Sequence, residues 1–286
     1  MSNKTSTMVE SKTDQLLSVG ITTKGRLREL RQTLALLQDS ELRDCEVILI
    51  DDGGNGDFVE EGEFDLNLRI LRYEKSKGLV QRRNELARLC TTKYLMSLDD
   101  DSSPERGSVM DALEILEGDK DIASIALNLH NSNTRPLDTH ASDFVARYFV
   151  GCGHIHDVDV FRKLGGYTGA LFYGHEEREY SLKLARASMK IIHLNRYVVA
   201  HRKSDINRVV GYNPRPIRNL GWINATYLGV VPNIIELYSL LKGKKLDQIK
   251  RELKDYFRGM SERQRVNKLN FAQYWGWKRS KTPTVA

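Results

Sequence analysis

The chain has 286 residues, a length that suits one large domain or two small ones and is enough to bury a sizeable core. With 40% apolar and 29% charged residues, it reads as a globular protein rather than a fibrous or disordered one. The net charge of +6 is uneven: basic residues crowd between Lys242 and Arg279, while acids cluster at Asp51-Asp52, Asp99 to Asp101 and Glu176-Glu177. Cys45, Cys90 and Cys152 lack paired spacing, which argues against a disulfide framework or a zinc site and fits a reducing compartment. No run approaches the roughly 20 apolar residues of a membrane span, and the polar N-terminus has no apolar leader core. The expected location is therefore the cytoplasm.

In chain order, residues 1–15 read as a disordered tail. LLSVGIT (Leu16 to Thr22) is a buried strand. RLRELRQTLALLQ follows as a helix, with Leu27, Leu30, Leu34 and Leu37 at helical spacing. EVILIDD and LRILRY are further strands, GLVQRRNELARLC a helix, KYLMSL a strand, SVMDALEILE a helix and IASIAL a strand. This alternation predicts an α/β fold with a mostly parallel sheet flanked by helices, Rossmann-like in its first half. Beyond about Leu129 the alternation stops. LHNSNTRPLDTHASD is loop-like, GCGHIHDVDVFRKLGGY is glycine-rich, GHEEREYSLKLARASMK is helical and IIHLNRYVVAH suggests two short strands. The division expected is an α/β domain over residues 16–235 and a basic helical extension over 236–286.

In a parallel sheet, ligands bind beyond the carboxyl ends of the strands. Two acidic clusters lie at such ends. In LMSLDDDSSP (Leu95 to Pro104), Asp99 and Asp101 at i and i+2 point the same way on an extended chain and suit a hard divalent cation. The same residues also read as a solvated Asp-Ser-Pro turn. Asp51-Asp52-Gly53-Gly54 repeats the pattern, with a carboxylate that can accept from a base or ribose, or simply a turn. Glu176 and Glu177 open a helix, where acids complement the dipole or supply a general base.

The ordered series SVGITTKGR, EVILIDDGG, GLVQRRN, YLMSLDDDSSP, GGYTGALFYGHEEREYSLKLAR and VVAHRKS, from Ser18 to Ser204, resembles the signature of family 2 glycosyltransferases with the GT-A fold. The resemblance implies a metal-dependent, inverting transfer of a sugar from a UDP- or dTDP-sugar to an acceptor hydroxyl. It implies that Thr22 touches the nucleoside, that Asp52 bonds the base and that Arg83 lies near the nucleotide. Asp99 then meets ribose or metal-bound water, Asp101 coordinates Mn2+ or Mg2+, His201 completes the metal shell and Glu177, beside Glu176, is the general base. The sequence departs from the pattern in Ile-Thr-Thr at residues 21–23, in Glu at position 177 and in Lys183 where arginine is common.

A nucleotidyltransferase would carry a glycine-rich loop after the first strand, and ITTKGRLREL has a single glycine there. A nucleic-acid binder built on the basic tail leaves the acidic clusters unexplained. The partners expected are a nucleotide-sugar donor and a carbohydrate or glycolipid acceptor, with no nucleic acid; a homo-oligomer is allowed. In the tail, Ile249, Leu253, Tyr256, Phe257, Leu269, Phe271, Trp275 and Trp277 alternate with cations. They either contact an anionic membrane at its cytoplasmic face or pack on the catalytic domain.

Overall fold

The computed structural model describes residues 16–54, 56–131, 138–171, 173–202 and 213–283, so the expected tail over residues 1–15 lies outside the described residues. The first half alternates β1 (Leu17–Thr23), α1 (Leu27–Gln38), β2 (Glu46–Asp52), β3 (Asn67–Tyr73), α2 (Leu79–Leu89) and β4 (Tyr94–Asp99). Then come β5 (Ser102–Arg106), α3 (Val109–Gly118), β6 (Ile122–Asn131), β7 (Phe144–Val145), β8 (Gly153–Asp157), α4 (Val158–Lys163), α5 (Glu176–Arg186) and β9 (Lys190–His201). Four helices close the chain: α6 (Arg215–Tyr227), α7 (Val230–Leu241), α8 (Leu246–Ser261) and α9 (Phe271–Arg279).

The strands form one sheet in the order β3-β2-β1-β4-β8-β6-β9-β5, with β7 paired to β9. Its parallel part is β3-β2-β1-β4, as the sequence predicts. The remainder is mixed: β8 runs antiparallel to both β4 and β6, and β5 antiparallel to β9. The sheet separates two apolar layers, and β2 shows why its sequence is apolar throughout. Val47 and Leu49 join the layer under α1 and α3, while Ile48 and Ile50 join the layer under α2 and α5. A strand covered on both faces has no polar side. In α1 the 3.6-residue period buries Leu30, Thr33, Leu34 and Leu37, each leucine worth about 1.5–3 kcal/mol of burial.

Two local expectations change. IIHLNRYVVAH is one strand, not two; the break between Leu127 and Asn128 is a shift in its pairing with β6. Residues 102–106 are an edge strand rather than an open turn, an edge being where Pro104 costs no ladder bond.

The expected boundary at 235/236 falls inside α7, and the C-terminal helices are built into the body. Glu236 accepts from Arg178 of α5 at 2.9 Å, Lys278 of α9 at 2.6 Å and Tyr274 at 3.2 Å. Trp277 donates to Ser181 at 3.1 Å. Tyr256, Leu269 and Trp277, from the stripe weighed for a membrane, are buried against protein. α7 has the opposite polarity to a normal surface helix. Its Asn233 and Glu236 face inward, while Val230, Val231, Ile234 and Tyr238 are more than 60% exposed.

α6 and α8 cross at two glycines. A Cβ on Gly259 would sit 1.9 Å from the Arg218 carbonyl oxygen, and one on Gly221 would sit 2.1 Å from that of Tyr256. Gly259→Ala should therefore push the helices apart and lower stability by about 1–3 kcal/mol, as overpacking does; urea unfolding followed by tryptophan fluorescence measures it.

Candidate functional site

The parallel register sets the site. Thr22 on β1 lies beside Ile50 on β2 and Asp99 on β4, so the strand ends carrying Asp51, Asp52 and Asp99 open on one edge. After Asp99 the chain turns, and Ser102 fixes the turn by accepting from the Asp99 amide at 2.8 Å. Asp99 and Asp101 therefore do not lie on one extended strand, as their i, i+2 spacing predicted. Asp99 pairs with Arg83, while Asp100 and Asp101 share Arg26.

Asp100 points inward. It accepts from Thr23 at 2.6 Å and from Arg26 Nε at 3.0 Å. Burial outweighs these partners and pushes its carboxyl up to about 7. Asp101 accepts from Arg26 Nη1 at 3.1 Å through Oδ2, and its Oδ1 lies 3.4 Å from His201 Nε2. Its carbonyl takes the Arg202 amide at 2.8 Å. Arg26 is thus the counter-charge that lets Asp100 and Asp101 stand side by side.

Asp99 turns the other way. It accepts from Arg83 Nη2 at 2.8 Å, while Arg83 Nη1 donates to Glu176 at 2.8 Å and stands 3.7 Å from Glu177. Arg83 is 4% exposed. Burial opposes its charge, but Asp99, Glu176 and Glu177 outweigh burial and hold it cationic. Gly151 permits this seat, since a Cβ there would meet Arg83 Nη1 at 2.4 Å.

Glu176 and Glu177 begin α5 after two residues with positive φ, Gly174 at 86° and His175 at 71°. Successive helical positions diverge, so the two carboxylates part. Glu176 is buried on Arg83, whereas the Glu177 side chain keeps 21% of its surface exposed. Burial, followed by the charge of Glu176, raises the Glu177 carboxyl above the usual range; Arg83 restrains the rise.

Asp52 is bonded entirely within the chain. Its oxygens accept from Ser76 Oγ at 2.6 Å, the Lys77 and Gly78 amides at 2.8 Å each and Arg82 Nε at 2.6 Å. A carboxylate has about four acceptor sites, and all are used in closing the entry to α2. These bonds lower its pKa against the effect of burial. Asp52 thereby ties the end of β2 to the 76–82 segment.

Cys152, Asp99 and His201 bring one sulfur, oxygen and nitrogen within 4.8 Å of one another, so the donors present fit a cation. Burial and Asp99 raise the Cys152 thiol well above its ordinary value. Sequence reading missed Cys152, Arg26 and Arg202. Arg26 and Arg202 lie in the stretches that carry the resemblance, but their pairing with the aspartates is long-range. Cys152 has no spacing signal.

Behind Arg83, a buried chain of hydrogen bonds holds residues 150–153. His154 Nδ1 must donate to the Val150 carbonyl at 3.1 Å, so its Nε2 accepts from Tyr167, 3.3 Å away. Tyr167 then accepts from His156 Nε2 at 3.1 Å, and His156 Nδ1 accepts from Ser124 at 2.7 Å. Burial keeps both imidazoles neutral, with His156 pushed down to about 3.

Residues 18–174 match the profile of glycosyl transferase family 2. No curated protein matches the chain significantly. Among solved structures, GalNAc-T7 with UDP, GalNAc and Mn2+ superposes with a TM-score of 0.64 at 16% identity, over 86% of this chain and 55% of that one. S. aureus TarS 1-349 with UDP-GlcNAc gives 0.57 at 15%, over 92% and 79%. The mannosyltransferase PcManGT from Pyrobaculum calidifontis, with GDP-Man and Mn2+, gives 0.55 at 14%, over 93% and 73%. This chain thus spans about half the length of GalNAc-T7. The shared fold is GT-A.

Arg83→Met leaves Asp99 and Glu176 without their buried partner. It should cost about 3–5 kcal/mol of stability, read as a lowered denaturation midpoint. Arg83→Lys should recover part of that loss, because one ammonium cannot serve both carboxylates in the same way.

Proposed function

The chain belongs to glycosyl transferase family 2, and we propose that it moves a sugar from a nucleoside-diphosphate donor, UDP- or dTDP-linked, to an acceptor hydroxyl with inversion at the anomeric carbon. The observation that carries this reading is the Arg83 bridge. It draws the end of β4 and the start of α5 together at the carboxyl edge of the parallel strands, where nucleotides bind in such sheets. The nucleotide and sugar-nucleotide complexes of the structural neighbours support the donor class.

In this reading Thr22 and Asp99 flank the nucleoside, and Asp52 acts through the 76–78 backbone it holds. A divalent cation such as Mn2+ or Mg2+, held by Asp101 and His201 with Asp99 beside them, would offset the charge that grows on the departing diphosphate. Glu177 takes the proton of the acceptor hydroxyl. That oxygen attacks the anomeric carbon from the face opposite the diphosphate, and the bond from carbon to phosphate oxygen breaks. A positioned base contributes roughly 10²–10⁴ in rate. The raised pKa of Glu177 suits this task, since a base works best near the operating pH. Glu176, locked on Arg83, positions the arginine and lifts its neighbour's pKa.

A panel of nucleotide sugars, tested with metal for thermal stabilisation and for nucleoside-diphosphate release, checks the reading; no response to any member overturns it. With a responsive donor, Glu177→Gln should keep donor affinity and lose about 10²-fold or more in turnover. The acid limb of kcat/KM should lie above the ordinary carboxylate range near ~4.3. Glu176→Gln removes a neighbouring negative charge, so the limb should move to lower pH.

Among the described residues, no helix is long and apolar enough to cross a membrane. Peripheral contact with an anionic bilayer, and so with a glycolipid acceptor, passes in this reading from α8 and α9 to the outward face of α7. Exposed Val230, Val231, Ile234 and Tyr238 adjoin Lys242 and Lys245 there. Full-length protein should sediment with anionic vesicles at low salt, and Ile234→Asp should abolish it.

A further inference from the structure

The proposed cation site contains a ligand type that its aspartates do not announce. Cys152 is 3% exposed, and a buried free cysteine is usually a small apolar filler. This one has different neighbours. Its sulfur lies within 4.8 Å of an Asp99 oxygen and a His201 nitrogen, which also lie within 4.8 Å of each other. His201 Nε2 is also 3.4 Å from Asp101 Oδ1. Metal bonds to sulfur, nitrogen and oxygen of about 2.0–2.3 Å require these donors to draw together by a fraction of an ångström to about one ångström. The partial exposure of His201 and Asp99, 18% and 23% at the side chain, leaves a path for an ion.

The cysteine is also held in place from both sides. A Cβ on Gly151 would strike Arg83 at 2.4 Å, and one on Gly153 would strike Leu129 at 2.5 Å, so the backbone is pressed closely at both flanking residues. The carbonyl of Val150 is anchored by His154. Asp99 gives one oxygen to Arg83 and retains the other.

We propose that Cys152 is a thiolate ligand of the divalent cation, making this a mixed oxygen, nitrogen and sulfur site that favours thiophilic ions such as Co2+ or Zn2+ over Mg2+. The inference rests on the metal-dependent reading above. On binding, the sulfur–hydrogen bond breaks, its proton passes to solvent and a sulfur–metal bond forms, with no change of oxidation state. Carboxylate and water ligands alone suit Mg2+ and Mn2+, whereas thiolate and imidazole shift preference toward Zn2+ and its neighbours.

The test is titration of the purified full chain with Co2+, followed by absorption spectroscopy and calorimetry, with and without UDP. The expected result is a sulfur-to-cobalt charge-transfer band in the near ultraviolet and proton release that scales with buffer ionisation enthalpy. Cys152→Ser should remove the band and weaken Co2+ by at least about tenfold, the effect of ~1.4 kcal/mol, while Mg2+ affinity stays nearly constant. Cys45 and Cys90 remain in that variant and serve as internal controls. Co2+ binding that is lost in His201→Ala but shows no charge-transfer band in the wild type overturns the thiolate and leaves the cation site standing. Absence of binding by Co2+, Mn2+ and Mg2+, with or without UDP, overturns both. The wild-type spectrum decides the matter even if the serine variant folds poorly.

Discussion

The site depends on one buried cation. Arg83 sits where three segments distant in sequence meet: α2, which carries it, the end of β4 and the first turn of α5. A guanidinium taken out of water costs several kcal/mol. The planar fork repays that cost only by meeting carboxylates along two of its edges. Asp99 and Glu176 fill those edges, and Gly151 leaves room for the tips of the fork. The positions of the acids therefore follow from the arginine as much as the reverse.

Arg26 plays the matching part on the other side of the aspartate turn. Its guanidinium binds Asp100 and Asp101. The aspartate run is thus divided between two arginines, Asp99 to one and its successors to the other. This division separates the carboxylates in space and limits the repulsion that three adjacent acids would otherwise suffer. His201 and Cys152 converge in the gap.

Much of this was legible in the sequence, and the unread remainder has a common cause. The elements of the first half follow from local periodicity, because a doubly covered strand and an amphipathic helix each carry their pattern within a dozen residues. The ordered motifs brought Thr22, Arg83, Asp99, Asp101, Glu177 and His201 to one edge, where the structure also gathers them. What failed was pairing. Nothing near Asp52 signals that Ser76 to Arg82 will consume its oxygens. Nothing near Cys152 signals Asp99, 53 positions earlier, or His201, 49 later. The antiparallel insertion of β8 between β4 and β6 was hidden for the same reason, since strand direction is a tertiary property. The stripe of the C-terminal helices was legible as apolar, with packing on the catalytic domain as one of its two readings; the structure buries Tyr256, Leu269 and Trp277 against protein and leaves Phe257 and Phe271 exposed.

Glu176 and Glu177, adjacent in sequence, meet different surroundings. Side chains one step apart on a helix diverge by about 100°, so only one of two adjacent acids can meet a fixed buried arginine squarely. Which one does so is set by the point at which the helix starts. That start is forced by Gly174 and His175, both with positive φ. Glycine adopts this conformation freely, whereas a histidine there costs roughly 1–2 kcal/mol. His175 nevertheless accepts the first helical bond, from the Glu179 amide at 2.9 Å. Starting the helix one residue later would turn Glu177 toward Arg83 and expose a different side chain. The strained histidine thus sets the phase of α5, and that phase leaves Glu177 partly solvated and close enough to Glu176 and Arg83 to be tuned by both.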